Sequence, residues 1–191
     1  MLKVEDIFTH MPVLETKRLV LRPLSLDDAQ DMFAYARDPL VSRYVPWEVH
    51  RGIEDTFAYL NTVVEDQLAG RVSNWAVVSK AEDRMVGTAG YVWWQPEHSK
   101  AEIGYVLARR LWGQGLMSEA AKTIVDFGFT RMELNRIEAR CFEENIGSAR
   151  VMEHCGMTFE GRFRDYLRVK GDFCTFRFYS ILRREWEEKL C

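Results

Sequence analysis

The chain has 191 residues, 47% apolar and 29% charged, with a net charge of −3. That length fits one domain over 1–191, and the composition is that of an ordinary globular protein. The small negative charge argues against a general nucleic-acid binder, and no run of about 18 apolar residues is present to span a membrane.

Residues 1–14 resist assignment and are expected to form a loose arm. Met1–Asp6 lacks the apolar core of a signal peptide, so a cytoplasmic location with reduced thiols is expected. The four cysteines, Cys141, Cys155, Cys174 and Cys191, form no C-x-x-C and no zinc-spaced cluster with histidine, so no metal site is expected. Thr16–Pro23 alternates polar and apolar residues and predicts a strand that stops at the proline. Ser25-Leu26-Asp27-Asp28 has the form of a helix N-cap with acid in the first turn. That helix runs to about Arg37 and ends before Pro39. The loop Asp38–His50 carries Tyr44, Pro46 and Trp47, and a helix is predicted over Ile53–Leu68. Trp75–Val78 and Met85–Trp94 predict strands joined by a turn at Lys80–Arg84. Strict alternation would put Tyr91 and Trp93 on one face and Trp94 on the other. After a turn at Gln95–Ser99, Ala101–Leu107 completes an antiparallel meander.

The next stretch is Arg110-Leu111-Trp112-Gly113-Gln114-Gly115-Leu116. Beyond it, Leu116, Ala120, Ala121, Ile124, Val125 and Gly128 recur at helical spacing, to about Met132. A strand, a glycine turn and an amphipathic helix follow one another. Residues without Cβ allow positive φ and close approach of a ligand. Amides at a helix N-terminus favour an anion, most simply a phosphate or pyrophosphate. A tight turn without a ligand is the other reading. A Walker loop would need Gly-Lys-Ser/Thr, and Gly115-Leu116-Met117 is not that; a dinucleotide fingerprint would need a third glycine where Ser118 stands.

Arg136–Phe142 predicts a strand, parallel to Ala101–Leu107 because a helix intervenes. Asn145 is a candidate N-cap for a helix over Ile146–Cys155, closed by Gly156. Two strands, Thr158–Val169 and Phe173–Leu182, turn at Lys170-Gly171-Asp172, and the charged tail Arg183–Leu190 fits a helix. The aromatics of Phe173–Tyr179 suit a partner surface or the core equally. His50, His98 and His154 are isolated, and His154 beside Cys155 suits a structural role.

Arg110-x-x-Gly113-x-Gly115 between a strand and a helix resembles the acetyl-CoA loop of the GNAT N-acetyltransferases. The run Ala101-Glu102-Ile103-Gly104-Tyr105 with Trp112–Ala120, the opening Glu15–Arg22, and Asn145-x-x-Ser148 with Cys155-Gly156-Met157 are similar to the RimJ/RimL branch. The resemblance spans about Glu15 to Trp186. It implies an α+β fold of three α/β/α layers: a mixed, mostly antiparallel sheet of about seven strands, a parallel pair splayed at the cofactor, and about four helices.

By the same resemblance, the cofactor acetyl-CoA would be held by Leu107, Arg110, Gly113, Gln114, Gly115, Leu116, Met117, Ser118, Asn145 and Ser148. The Leu107 amide, or a neighbour, would stabilise the oxyanion. Glu102 would be the general base, the alternative being a solvated or ion-paired carboxylate. A family tyrosine that serves the departing thiolate is replaced by Met152, leaving Ser148 or Tyr166 as donors. Tyr44, Trp47 and Trp93 would meet the acceptor, or only pack. The acceptor would be an amine, either a protein N-terminus or a small molecule such as a polyamine or antibiotic. A non-catalytic coenzyme A sensor or assembly subunit and, remotely, a nucleotide-binding protein are the competing readings. Family members are often dimers, so a homodimer is compatible.

Overall fold

The computed structural model describes residues 2–189, so Cys191 lies outside the described residues. One mixed sheet runs through the molecule in the order β1-β2-β3-β4-β5-β6-β8-β7. Its strands are β1 (Leu14–Glu15), β2 (Leu19–Pro23), β3 (Asn74–Ser79), β4 (Arg84–Gln95), β5 (Lys100–Leu107), β6 (Arg136–Phe142), β7 (Thr158–Val169) and β8 (Asp172–Leu182). The helices are α1 (Val4–Phe8), α2 (Ala29–Ala36), α3 (Pro39–Ser42), α4 (Ile53–Leu68), α5 (Leu116–Arg131), α6 (Ile146–His154) and α7 (Arg183–Glu188). The described residues thus form eight strands and seven helices, against the expected seven and four. The additions are short pieces: β1, α1, α3 and α7.

Strand alternation builds the layers. Trp75 and Val77 of β3 join the core with α5 and α6, while Ala76 between them joins the core with α2 and α4. Nine buried residues of α5, from Leu116 to Phe129, seat that helix on the first face. On β6, Ile137, Ala139 and Cys141 pack into the same core, leaving Arg136, Glu138 and Arg140 on the opposite face.

Three expectations are corrected. The N-terminal arm is not loose: Phe8 is 1% exposed, and its ring lies 6.2 Å from Trp75, 6.2 Å from Tyr91 and 6.4 Å from Trp94. The loop after Arg37 contains α3, because Pro39 sits in its first turn with Asp38 as N-cap, accepting from the Leu40 amide. Strict alternation fails at Val92. Tyr91 pairs with Ile103 but Trp93 with Glu102, so one extra residue bulges and Trp94 returns to the face of Tyr91. On β8, Phe176 and Tyr179 are core while Phe173 is 68% exposed.

Candidate functional site

β5 and β6 are parallel and pair only at Lys100–Arg136, Ala101–Ile137 and Glu102–Glu138. Beyond Glu102 they part. The Ala108 amide donates to the Val86 carbonyl in β4, so alternation turns the Leu107 amide the other way, toward the gap. The Leu107 carbonyl accepts not from a strand but from the Trp112 indole, at 2.8 Å. A parted strand edge of this kind leaves donors for an extended ligand.

The glycine turn lies at the end of this gap. Gly113 and Gly115 both have φ of +74°, and a Cβ built on Gly113 would meet nothing within 4 Å. Gly115 is the N-cap of α5, and the first intrahelical bond runs from the Glu119 amide to its carbonyl. The amides of Leu116, Met117 and Ser118 therefore have no partner within the helix. The side chains of Leu116 and Met117 are buried, so only their backbone can serve a ligand. The left-handed turn, the open space above it and the three amides fit a diphosphate.

The arginine at this loop is not the expected one. Arg110 turns outward to pair with Glu82. Arg18 instead donates to the Gln114 carbonyl at 2.9 Å and pairs with Glu119 at 2.7 Å. No local pattern in the sequence marks Arg18, because its partners lie almost a hundred residues away. Gln114 donates to the Arg110 carbonyl at 3.1 Å and braces the turn.

Asn145 caps α6, accepting from the Ser148 amide at 3.1 Å. The Tyr105 hydroxyl lies 3.0 Å from both the Ser148 carbonyl and the Ser148 hydroxyl. It therefore donates to the carbonyl and can accept from the hydroxyl. Burial raises the Tyr105 pKa far above the ordinary phenol range, so it stays a neutral hydroxyl. Tyr105 escaped the sequence reading as a functional side chain because it reads as an ordinary strand aromatic. Met152 is 1% exposed and belongs to the core. Burial pushes the Cys141 thiol up to about 11 and the Cys155 thiol up to about 12, so neither is a ready nucleophile.

Glu102 stands where the strands begin to part, on the face opposite Tyr105. It is 5% exposed; its Oε2 accepts from the Trp93 indole at 2.8 Å and its Oε1 lies 3.1 Å from Arg140 Nε. Burial raises its pKa above the usual carboxylate value, against the opposing pull of Arg140 and Trp93, with Glu138 adding to the rise. Arg140 also lies 5.7 Å from the Tyr166 ring. Tyr166 is thus on the Glu102 face, apart from Ser148. The bulge at Val92 is what brings Trp93 onto this face, a contact that simple alternation does not supply.

Two segments border this face. Tyr44 packs on Phe142 at 5.7 Å and Trp47 on His50 at 5.3 Å. At the far end of the β7–β8 hairpin, Lys170 Nζ donates to the Ser42 carbonyl at 2.5 Å. The hairpin tip and the segment after α2 therefore touch.

The Acetyltransferase (GNAT) domain family matches residues 18–158. The chain is 34% identical over 176 residues to Uncharacterized N-acetyltransferase p20 of Bacillus licheniformis, covering 92% of this chain and 99% of that one. It superposes on an acetyltransferase (GNAT family) from Bacillus anthracis with a TM-score of 0.81 and 30% identity, covering 91% and 99% of the two chains. It is also similar in fold to RimL, a ribosomal L7/L12 alpha-N-protein acetyltransferase in complex with coenzyme A, at TM-score 0.77 and 19% identity, covering 90% and 98%.

Proposed function

This chain belongs to the GNAT acetyltransferases, and from that premise we propose that it acetylates a small primary amine. It is an enzyme that uses acetyl-CoA; the readings as a non-catalytic sensor or a nucleotide-binding protein give way to that. The observation that carries the choice of acceptor is the bond from Lys170 to the Ser42 carbonyl, which joins the two walls of the Glu102 face. An extended peptide needs a trough open at both ends, whereas a small amine does not.

Acetyl-CoA, when bound, supplies an activated thioester carbonyl. The amides at Gly113–Ser118 would hold its diphosphate, and the parted edge of β5 its extended arm. The Leu107 amide would offer a donor where negative charge develops. Asn145 has an amide NH₂ free for the cofactor while its oxygen caps the helix.

The acceptor arrives protonated, since an alkylammonium has a pKa near 10 and an α-amine near 8. Glu102 takes that proton, directly or through water. Its raised pKa makes it a stronger base than an exposed carboxylate, and Arg140 and Trp93 keep it ionised and fixed. The Ser148 hydroxyl, held beside Tyr105, would turn its hydrogen from that phenol to the departing sulfur and hydrogen-bond it as it leaves as a thiolate. Met152 carries no proton to give, and Tyr166 is on the other face. Tyr44, Trp47, Trp93 and Tyr166 would border the acceptor.

Coenzyme A release, measured with small primary amines and with peptides carrying free N-termini, tests the reading. Turnover of small amines supports it. Turnover confined to peptides overturns it.

A further inference from the structure

On the Glu102 face, beyond Gly104, lies a cavity of about 20 Å³, lined by Tyr35, Trp47, His50, Tyr59, Thr88 and Val106 among others. Val106 and Thr88 are cross-strand partners on β5 and β4. Val106 shares a face of β5 with Glu102, four residues away, and a rise of about 3.3 Å per residue puts roughly 13 Å between their Cα atoms. Gly104 lies midway. A Cβ there would meet one methyl of Val92, 2.9 Å away, and Val92 itself is 53% exposed. A small molecule that turned this exposed Val92 methyl aside and rested over Gly104 would have Glu102 on one side and the cavity on the other. The Leu107 amide, turned toward the gap between β5 and β6, follows Val106 directly.

The lining has a distinct chemistry. It holds Tyr35, Trp47 and Tyr59 beside His50, and no Asp, Glu, Lys or Arg. Its one titratable group near neutrality is His50, fixed by a 2.8 Å bond between Nδ1 and the hydroxyl of fully buried Thr56. Burial lowers the His50 pKa against the pull of Asp55, so the ring is neutral at pH 7. A second ammonium would find no counter-charge here, and an unpaired buried charge is costly. A water needs about 10–15 Å³ of such space, so the cavity as it stands suits a methyl or hydroxymethyl group better than a ring.

We infer that this cavity receives the substituent on the carbon bearing the acceptor amine, and so selects compact, uncharged α-substituted amines over polyamines and aminoglycosides. The amine itself rests over Gly104, within reach of Glu102. The inference deepens the small-amine reading above and rests on it.

The test is kcat/KM for a series of amino-acid amides, glycine, alanine, serine, phenylalanine and lysine, with spermidine added. Alanine and serine amides should lead, with phenylalanine and lysine amides lower by at least about tenfold, the scale of one misfitted group in a pocket. Trp47→Ala should widen the cavity and raise phenylalanine amide relative to alanine amide by about tenfold. Thr88→Val keeps the shape and removes a hydroxyl; it should lower the serine-to-alanine ratio, and it serves if the tryptophan variant does not fold. Equal kcat/KM across the wild-type series, or ratios unmoved in both variants, overturns the cavity assignment and leaves the small-amine reading standing. Turnover of peptides with none of the amides overturns both.

Discussion

As the proposed base, Glu102 meets two opposed demands. A base must be ionised to accept a proton, and burial opposes ionisation; Arg140 and the Trp93 indole offset that cost without capping the carboxylate fully. Glu102→Gln keeps the shape and removes the proposed base. It should bind acetyl-CoA normally in calorimetry and lose about 10²–10⁴-fold in kcat. The wild-type rate should fall as pH drops through the raised pKa of Glu102, and that limb should vanish in the variant. A variant retaining the acid limb would exclude Glu102 as its source. Asn145 carries two roles that can be separated. Asn145→Asp keeps an N-cap oxygen but loses the amide donor, so it should hold the melting temperature while weakening coenzyme A binding. Asn145→Ala should in addition cost about 1 kcal/mol of stability. Equal coenzyme A affinity in wild type and the aspartate variant would leave Asn145 as a cap alone.

Among the elements, the turn before α5 depends on residues that tolerate positive φ. At Gly115 the backbone is left-handed, and a Cβ would lie 3.6 Å from the Arg18 guanidinium, with open space beyond. Gly115→Trp should therefore fill the cradle and abolish acetyl-CoA binding, at a cost of about 1–2 kcal/mol for the left-handed φ but with the fold kept by circular dichroism. Normal affinity in the folded variant would remove the diphosphate from this loop. A second element-level device ties three strands. Arg136 on β6 pairs with Glu138 on its own strand and with Glu160 on β7, and bonds the Ser180 hydroxyl on β8. The Arg136 guanidinium lowers the Glu160 pKa from 4.5 to about 2. A carboxylate depressed in this way stabilises the fold above its ordinary pKa, and that stabilisation is lost as pH falls from about 4.5 toward 2. Melting temperature should drop across that window, and Glu160→Gln should flatten the drop. An identical acid profile in the variant would show that the tie contributes nothing.

At the scale of the whole molecule, the N-terminal arm is part of the core. Phe8→Ala should cost roughly 3–5 kcal/mol by denaturant titration, as for a buried ring; a loss near zero would mean the arm detaches freely. Among the described residues no helix is long and apolar enough to cross a membrane. Much of this architecture is written locally. Polar–apolar alternation marked β2, the 3.6-residue period marked α5, and Gly113 with Gly115 marked the turn between β5 and α5, because backbone propensity and turn chemistry act over a few residues. Asn145 showed as a cap for the same reason. Other features needed the assembled chain. The bulge at Val92 redirects Trp93 and Trp94 and depends on the register with β5. Arg18 reaches the Gln114 loop, Arg140 reaches Glu102, Tyr105 reaches Ser148 and Lys170 reaches Ser42 across separations no local pattern encodes. The sequence alone thus determined most of the elements, their order and the glycine turn before α5. Only the tertiary structure decided which charges meet and what borders the Glu102 face. Those contacts arise from packing between elements distant in the chain, where shape and register, not propensity, select the partner.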